Sequence, residues 1–536
     1  MIRISNIKAP LDYEKQPLAR FAASLLKLRE DEILSARLSK KSVDARDKRF
    51  VHFVLTLDVQ LRRESQQVLD RLPVRAAFIE PEAAPAPLPH ASFDERPVVV
   101  GLGPAGLFAA WTLAQAGARP IVLERGRDVD RRARDVQAFF SGGELDETSN
   151  VQFGEGGAGA FSDGKLNTGI SDPRCRRVLE TLHECGAPEE ILYLAKPHVG
   201  TDRLPGVVKA LRERIVSLGG TVLFEHRLSA LHLENGRLAA IDVIGPDGEA
   251  REMAASTLIL AIGHSARDTF EMLYRAGLTM IQKPFSLGAR IEHPQSLVSR
   301  SQYGEAWRHP ALGAADYKLS EKLPNGRSAY TFCMCPGGTV CAAASEAGGV
   351  VTNGMSLHAR DGRNANAAVV VSVDGGDFDN DPAKAVAFQR RLEQAAYRAG
   401  GGNYLAPAET VGSFLAGRGA LELGAVQPTY PRGVTPCDLG SLLPDDLSGA
   451  LREGLTAFGR KLAAYRAPDA VLTGLETRTS SPVRLLRDKE NLQCTGLAGL
   501  YPCGEGAGYA GGIMTAAVDG VRCAAELMKN WGPMAD

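Results

Sequence analysis

The strongest constraint on this chain is a run of nine residues, Val98 to Gly106. Val98, Val99 and Val100 predict a buried β-strand. Gly101, Gly103 and Gly106 then complete the pattern G-x-G-x-x-G, and Leu107 to Gln115 predicts a helix directly after it. The three glycines serve different ends. Gly101 permits the tight turn, Gly103 lets backbone approach a pyrophosphate, and Gly106 lets helix and strand pack closely. The amides at that helix's N-terminus then face an anion, with Pro104 and Ala105 between the glycines. A second strand, Ile121 to Leu123, ends at Glu124, eighteen residues beyond Gly106, where a carboxylate suits a ribose 2′-hydroxyl. Strand, glycines, helix, strand and acid in register specify a dinucleotide site far better than the glycines alone.

A length of 536 residues predicts two or three domains. Residues 1–80 form a small α+β unit: strand patterns at 2–7, 33–43 and 50–59, and helix patterns at 18–28 and 65–72. Residues 81–97 are proline-rich and predict a semi-extended linker. The nucleotide unit occupies 98–282, a mostly-β substrate or cap region is inserted at 283–430, and 431–536 returns to the nucleotide fold. Helices are expected over 125–144, 203–218 and 383–399. A hairpin is expected between Pro482 and Leu500.

Lys plus Arg total 62 against 63 Asp plus Glu, so no bulk field draws the chain to nucleic acid or anionic lipid. A local exception is the basic hairpin with Lys40, Lys41, Arg46, Lys48 and Arg49. It reads as a solvated turn or, alternatively, as a patch for RNA or another partner. Nine cysteines without a C-x-x-C pair favour a reducing, cytoplasmic setting and no metal site. No apolar signal core and no run long enough to span a bilayer is present, so no membrane association is expected.

Two further glycine-dense segments stand out. Gly154 to Lys165 has almost no side chain to pack, so its backbone is expected to lie against a ligand, with Gly157, Gly159 and Lys165 in contact. Near the end, Tyr501 to Gly520 predicts a strand ending at Gly504 and Glu505, then a helix starting after Gly511, Gly512 and Ile513. Between them, the strand Ser256 to Ile262 ends at Ala261 and Gly263.

Together, Val98 to Gly106, Glu124-Arg125-Gly126, Ala261-Ile262-Gly263 and Tyr501 to Gly520 resemble the FAD-binding glutathione-reductase and fumarate-reductase superfamily. More closely, the chain resembles a family of uncharacterised FAD-dependent dehydrogenases that share an N-terminal α/β appendage. Lys196 to Asp202, Phe332 to Gly338 and Thr352 to Ser356 extend that match. The resemblance implies an α/β protein: a Rossmann-type FAD-binding domain, an inserted mostly-β cap and the small N-terminal domain. It implies a flavoprotein oxidoreductase holding FAD non-covalently and acting on a small organic molecule by hydride transfer. The residues expected at the cofactor are Gly101, Gly103, Pro104, Ala105, Gly106, Glu124, Arg125, Gly157, Gly159, Lys165, Ala261, Gly263, Gly504, Glu505, Gly511, Gly512 and Ile513. Lys165 would sit near flavin N1 and O2, where negative charge develops on reduction. Where many relatives carry Gly-Asp before the final helix, this chain has Gly504-Glu505.

No separate nicotinamide domain is visible in the sequence, so NAD(P)H is expected only as a transient electron donor at the flavin face. The catalytic candidates are Cys333, Cys335, His264, Arg290 and Lys165. Cys333-Met334-Cys335 on a strand would point both sulfurs to one face, either as a dithiol relay or as packing beside a sheet. Arg432 and Tyr330 are weaker candidates for holding an anion or donating a proton. The alternative function is a flavin-dependent RNA-modifying or RNA-binding protein using residues 1–80.

Overall fold

The computed structural model describes residues 1–80 and 93–531. Most of the proline-rich linker therefore lies outside the described residues. The fold is mixed α/β, and one of its sheets is wholly parallel. That five-stranded sheet has the order Leu500–Pro502, Leu258–Leu260, Val98–Val100, Ile121–Glu124, Thr221–Phe224. Val98–Val100 sits at its centre. The chain first builds outward on one side, then crosses back and builds on the other. The order reverses between Val98–Val100 and Leu258–Leu260, and crevices that accept ligands open at such a switch point, beyond the carboxyl ends of the strands.

The valines of Val98–Val100 are buried on both faces, as a central parallel strand requires. Helices Pro104–Gln115 and Ile513–Trp531 pack on the sheet and on each other. Their contact is close because Gly520 has no side chain: a Cβ there would lie 2.1 Å from the Ala105 carbonyl oxygen. A three-stranded antiparallel sheet, Arg227–Glu234, Arg237–Ile244 and Ala250–Ala254, flanks this unit.

The second large layer is a seven-stranded sheet. Its order is Ser320–Lys322, Ser328–Cys335, Asn364–Val373, Phe285–Pro294, Val471–Glu476, Ala406–Thr410, Val434–Pro436. Only its last pair is parallel. Phe285–Pro294 and Asn364–Val373 run side by side from Phe285 opposite Val373 to Pro294 opposite Asn364. Helices Pro382–Ala399 and Asp445–Lys461 supply buried residues to the same core, among them Ala385, Leu392, Leu451 and Phe458. The sheet therefore runs past residue 430, and the region from 283 carries substantial helix beside its strands.

Residues 1–80 form a four-stranded sheet, Ile33–Asp44, His52–Leu61, Ile2–Ala9 and Ala76–Phe78 in that order. Helix Leu18–Leu26 closes its apolar face over Ile2, Ile4, Leu55 and Leu57. The helix expected over 65–72 shrinks to Gln66–Leu69, capped by Ser65, whose side chain accepts from the Val68 amide. The hairpin expected before Leu500 does not form as such. Val483–Leu485 pairs with Met280–Gln282 instead, and only Arg487 and Cys494 bridge within the segment.

Candidate functional site

At the switch point the strand Val98–Val100 ends in Gly101, whose φ of +98° favours glycine. A Cβ on Gly101 would lie 2.3 Å from the Ala261 carbonyl oxygen, and one on Gly106 would lie 1.8 Å from the Gly101 oxygen. Gly103 caps the helix Pro104–Gln115, leaving first-turn amides without intrahelical partners.

Around this turn lies a cavity of about 490 Å³, within the range of small-molecule and cofactor clefts. Gly101, Gly103, Pro104, Ala105, Glu124, Arg125, Gly157, Gly159, Lys165, Ala261, Gly263, Glu505, Gly511, Gly512 and Ile513 all line it. Gly106 and Gly504 do not. They set the packing behind the wall, since a Cβ on Gly504 would lie 2.7 Å from that of Ala105. Gly103 and Gly512, 409 positions apart in a chain of 536, thus share one cavity.

Glu124 is buried, and its carboxylate is largely committed to the protein. Oε2 accepts from the Leu102 amide at 2.8 Å, and Oε1 accepts from Gly126 at 2.9 Å and Gly154 at 3.0 Å. A carboxylate has about four lone-pair sites, so one remains for a ligand. The residue expected to read a ribose also ties three loops together. Arg125 lines the same end. Its guanidinium stacks 4.3 Å from the Phe153 ring and donates to Asp268 and Thr269.

The glycine segment from Gly154 is organised by a residue that no sequence pattern marks. Arg132 is fully buried and donates to the carbonyls of Asn150, Val151, Gly154 and Glu155 at 2.6–3.2 Å. Burial brings its pKa down to about 10, still charged near neutrality. A Cβ on Gly154 would lie 2.4 Å from Arg132 Cδ, so the glycine is there to admit the arginine as much as any ligand.

Lys165 lines the cavity, but its ammonium is engaged. It ion-pairs with Asp163 at 2.8 Å and donates to the Met334 carbonyl. Burial alone would raise the Asp163 carboxyl; Lys165 and Arg360 outweigh it and hold it at about 2. Phe332 and Cys333 of the seven-stranded sheet form the wall beside Lys165, with Asn353 from Thr352–Met355, a strand of a separate two-stranded sheet. Cys333 does not follow regular strand alternation. A bulge interrupts the register between Phe332 and Cys335, and Cys333 takes φ +41°. Cys335 is buried behind it, with Sγ 3.2 Å from the Cys333 carbonyl oxygen.

Arg290 is not at the cavity surface. It is wholly buried, bound to Glu476 at 2.7 Å, and donates to the Cys333 carbonyl at 3.0 Å and Asn366 at 2.9 Å. It positions Cys333 rather than meeting a ligand. His264 lines the cavity with Nε2 3.1 Å from the Arg478 carbonyl and Nδ1 3.4 Å from Ser265 Oγ. Arg432 donates to the backbone carbonyls of Phe139, Gly143 and Asn403, and Tyr330 donates to Ser286 Oγ at 2.6 Å. Neither lines the cavity. Lys318, Asn353, Thr269 and Arg478 do line it, although no local spacing in the sequence marks them.

Three of the five basic residues of the hairpin segment are ion-paired. Arg46 pairs with Asp44, Arg49 with Asp47, and Lys41 with Glu14 while lying 4.4 Å from the Phe53 ring. No helix among the described residues is long and apolar enough to cross a membrane.

An uncharacterised Clostridium beijerinckii protein is 47% identical over 536 aligned positions, covering 99% of each chain. Residues 284–479 match the family described as "FAD-dependent protein, C-terminal domain-like". The chain belongs to this FAD-dependent protein family. FAD is therefore the cofactor, and the turn at Gly101, with no room for a side chain and first-turn amides beside the cavity, fits it. Residues 1–60 of this FAD-dependent protein match a domain of unknown function. Among solved structures, CtdE in complex with FAD is 11% identical, covering 82% of this chain and 84% of that one, at a TM-score of 0.32. A geranylgeranyl bacteriochlorophyll reductase-like protein from Thermoplasma acidophilum is 14% identical over 82% and 80%, at 0.34.

Proposed function

We propose that the chain is an FAD-dependent oxidoreductase that transfers a hydride between the cofactor and a small organic substrate bound in the same cavity. The carrying observation is that one cavity is lined by both distant glycine segments and by side chains of the seven-stranded sheet. In this reading the five-stranded sheet is the core of a Rossmann-type FAD-binding domain, and the sheet from Phe285 onward is the substrate side.

FAD, when bound, supplies two-electron chemistry, and the protein supplies binding, orientation and electrostatics. The first-turn amides and Gly103 would meet the pyrophosphate. The remaining acceptor site of Glu124 would take a ribose hydroxyl. The Gly511–Ile513 turn, which opens the helix Ile513–Trp531, would bring positive potential to the ring end. Glu505 would accept from the ribityl chain. Lys165, held by Asp163, keeps a positive charge in the cavity wall where a reduced cofactor would be anionic. Lys318 and Asn353 give the substrate side a cation and an amide. NAD(P)H is one candidate donor, entering at that face without a domain of its own.

The purified protein should be yellow, with absorption at roughly 370 and 450 nm. Anaerobic mixing with NADH, NADPH and a metabolite panel should bleach the longer band with one class of donor. A colourless protein that cannot be reconstituted with FAD would overturn the reading.

A further inference from the structure

Three features converge at Cys333. It lies in the wall of the cavity beside Lys165, Phe332 and Asn353. The Cys335 thiol donates to its carbonyl oxygen at 3.2 Å. Its backbone is held at φ +41°, in a left-handed conformation that non-glycine residues adopt only at a steric cost.

The conformation has a geometric consequence. Two residues of straight strand span about 6.6–6.8 Å. That is the upper edge of the Cα separation a disulfide tolerates, about 4.4–6.8 Å. The bulge between Phe332 and Cys335 and the left-handed turn at Cys333 fold the chain more tightly than a straight strand. Cys335 Sγ lies 3.2 Å from the Cys333 carbonyl oxygen, so the two residues meet within this one turn. The surroundings hold this turn in place: Arg290 grips the Cys333 carbonyl at 3.0 and 3.3 Å, and Lys165 grips the Met334 carbonyl. Both clamps reach the segment from elements far away in sequence.

The electrostatics point the same way. The neighbouring Cys335 thiol, with Lys165 and Arg290 nearby, outweighs burial and lowers the Cys333 thiol below its usual range. Elsewhere burial drives cysteine thiols up, as at Cys341, pushed to about 12, and Cys494, pushed to about 11. A thiolate is the reactive form in disulfide exchange.

We propose that Cys333 and Cys335 form a redox-active dithiol–disulfide pair that exchanges two electrons with the cofactor in the cavity. The proposal rests on the FAD reading above. The step balances without a further reactant. In one direction the sulfur–sulfur bond takes two electrons from the reduced, anionic cofactor and breaks. Cys333 leaves as the thiolate, Cys335 takes the proton the cofactor releases, and the cofactor returns to its oxidised form. In the other direction the same atoms and electrons run back, and the bond re-forms. The pair would make the site a four-electron store, filled by whatever organic hydride donor reduces the cofactor.

Anaerobic dithionite titration of the air-oxidised holoenzyme tests this directly. Wild type should consume four electrons per bound FAD, and Cys335→Ser two. In the same wild-type sample, iodoacetamide under denaturing conditions should label neither Cys333 nor Cys335 before reduction and both after it, read by peptide mass spectrometry. This labelling needs no variant, so a misfolded Cys335→Ser would not blunt the test. Two electrons per FAD in wild type, with both cysteines labelled before reduction, would overturn the pair while leaving the cofactor reading intact. Absent flavin absorbance after reconstitution would instead overturn the cofactor reading and the pair with it.

Discussion

The cavity has two unlike walls. The wall from the parallel sheet is built of backbone, with Gly101, Gly103, Gly157, Gly511 and Gly512 at its surface. The wall from the seven-stranded sheet is built of side chains held by buried charges, with Arg290 and Glu476 behind Cys333. A backbone wall offers amides at fixed positions and, at Gly101, leaves no room for an added atom. A side-chain wall can place thiol, amide and ammonium groups, but only while its supporting ions stay paired. The first suits an invariant group such as a nucleotide; the second is where specificity and chemistry can vary.

Four changes put this contrast at risk. Arg290→Ala should have the largest effect. It leaves Glu476 buried without its partner, costing about 3–5 kcal/mol in chemical denaturation. A loss under about 1 kcal/mol would mean the side-chain wall does not depend on that ion pair. Gly106→Ala should cost about 3 kcal/mol, because its Cβ meets the Gly101 oxygen at 1.8 Å and an overpacked site relaxes only in part. Thermal unfolding would show this, and an unchanged midpoint would contradict the account of the backbone wall.

Acidification should weaken the seven-stranded sheet through His293. Burial holds that imidazole down at about 3 from an unfolded value near 6.5. The folded state thus favours the neutral form, so its stabilisation is complete above pH 6.5 and declines as pH falls toward 3. The slope is about 1.4 kcal/mol per pH unit, and His293→Gln should flatten it by that amount in urea melts at pH 6 and pH 5. Equal slopes in both proteins would remove His293 from the account.

Gly511→Ala should have the smallest effect on stability, within about 0.5 kcal/mol, because nothing lies within 4 Å of a Cβ there. FAD affinity should nonetheless fall about tenfold, or about 1.4 kcal/mol, measured by fluorescence titration of the apoprotein. Unchanged affinity would show that the Gly511 backbone does not face the cofactor.

The two walls differ equally in how legible they are in the sequence. The Gly101 turn, the helix after it and the Glu124 strand follow from spacing within about thirty residues, where chain geometry is local. The final strand and helix, with Gly511 and Gly512, are legible for the same reason. The dual role of Glu124 is not, because its partner Gly154 is thirty positions away. Arg132 has the sequence setting of a solvated helix residue, yet it is buried by a loop that folds over it. Cys333 and Cys335 are visible as a pair, but the bulge that joins them depends on register with Asn364–Val373.

The amino-acid order alone specifies the nucleotide turn: Gly101 and Gly106 have no alternative once a strand and helix must meet there, since a Cβ on either would collide with backbone. The chemistry of the opposite wall is settled only in the folded molecule. Arg290 and Glu476 stand 186 positions apart, and Lys165 and Met334 169. No local pattern encodes such pairings. They arise when two sheets close on each other and buried charges must find partners.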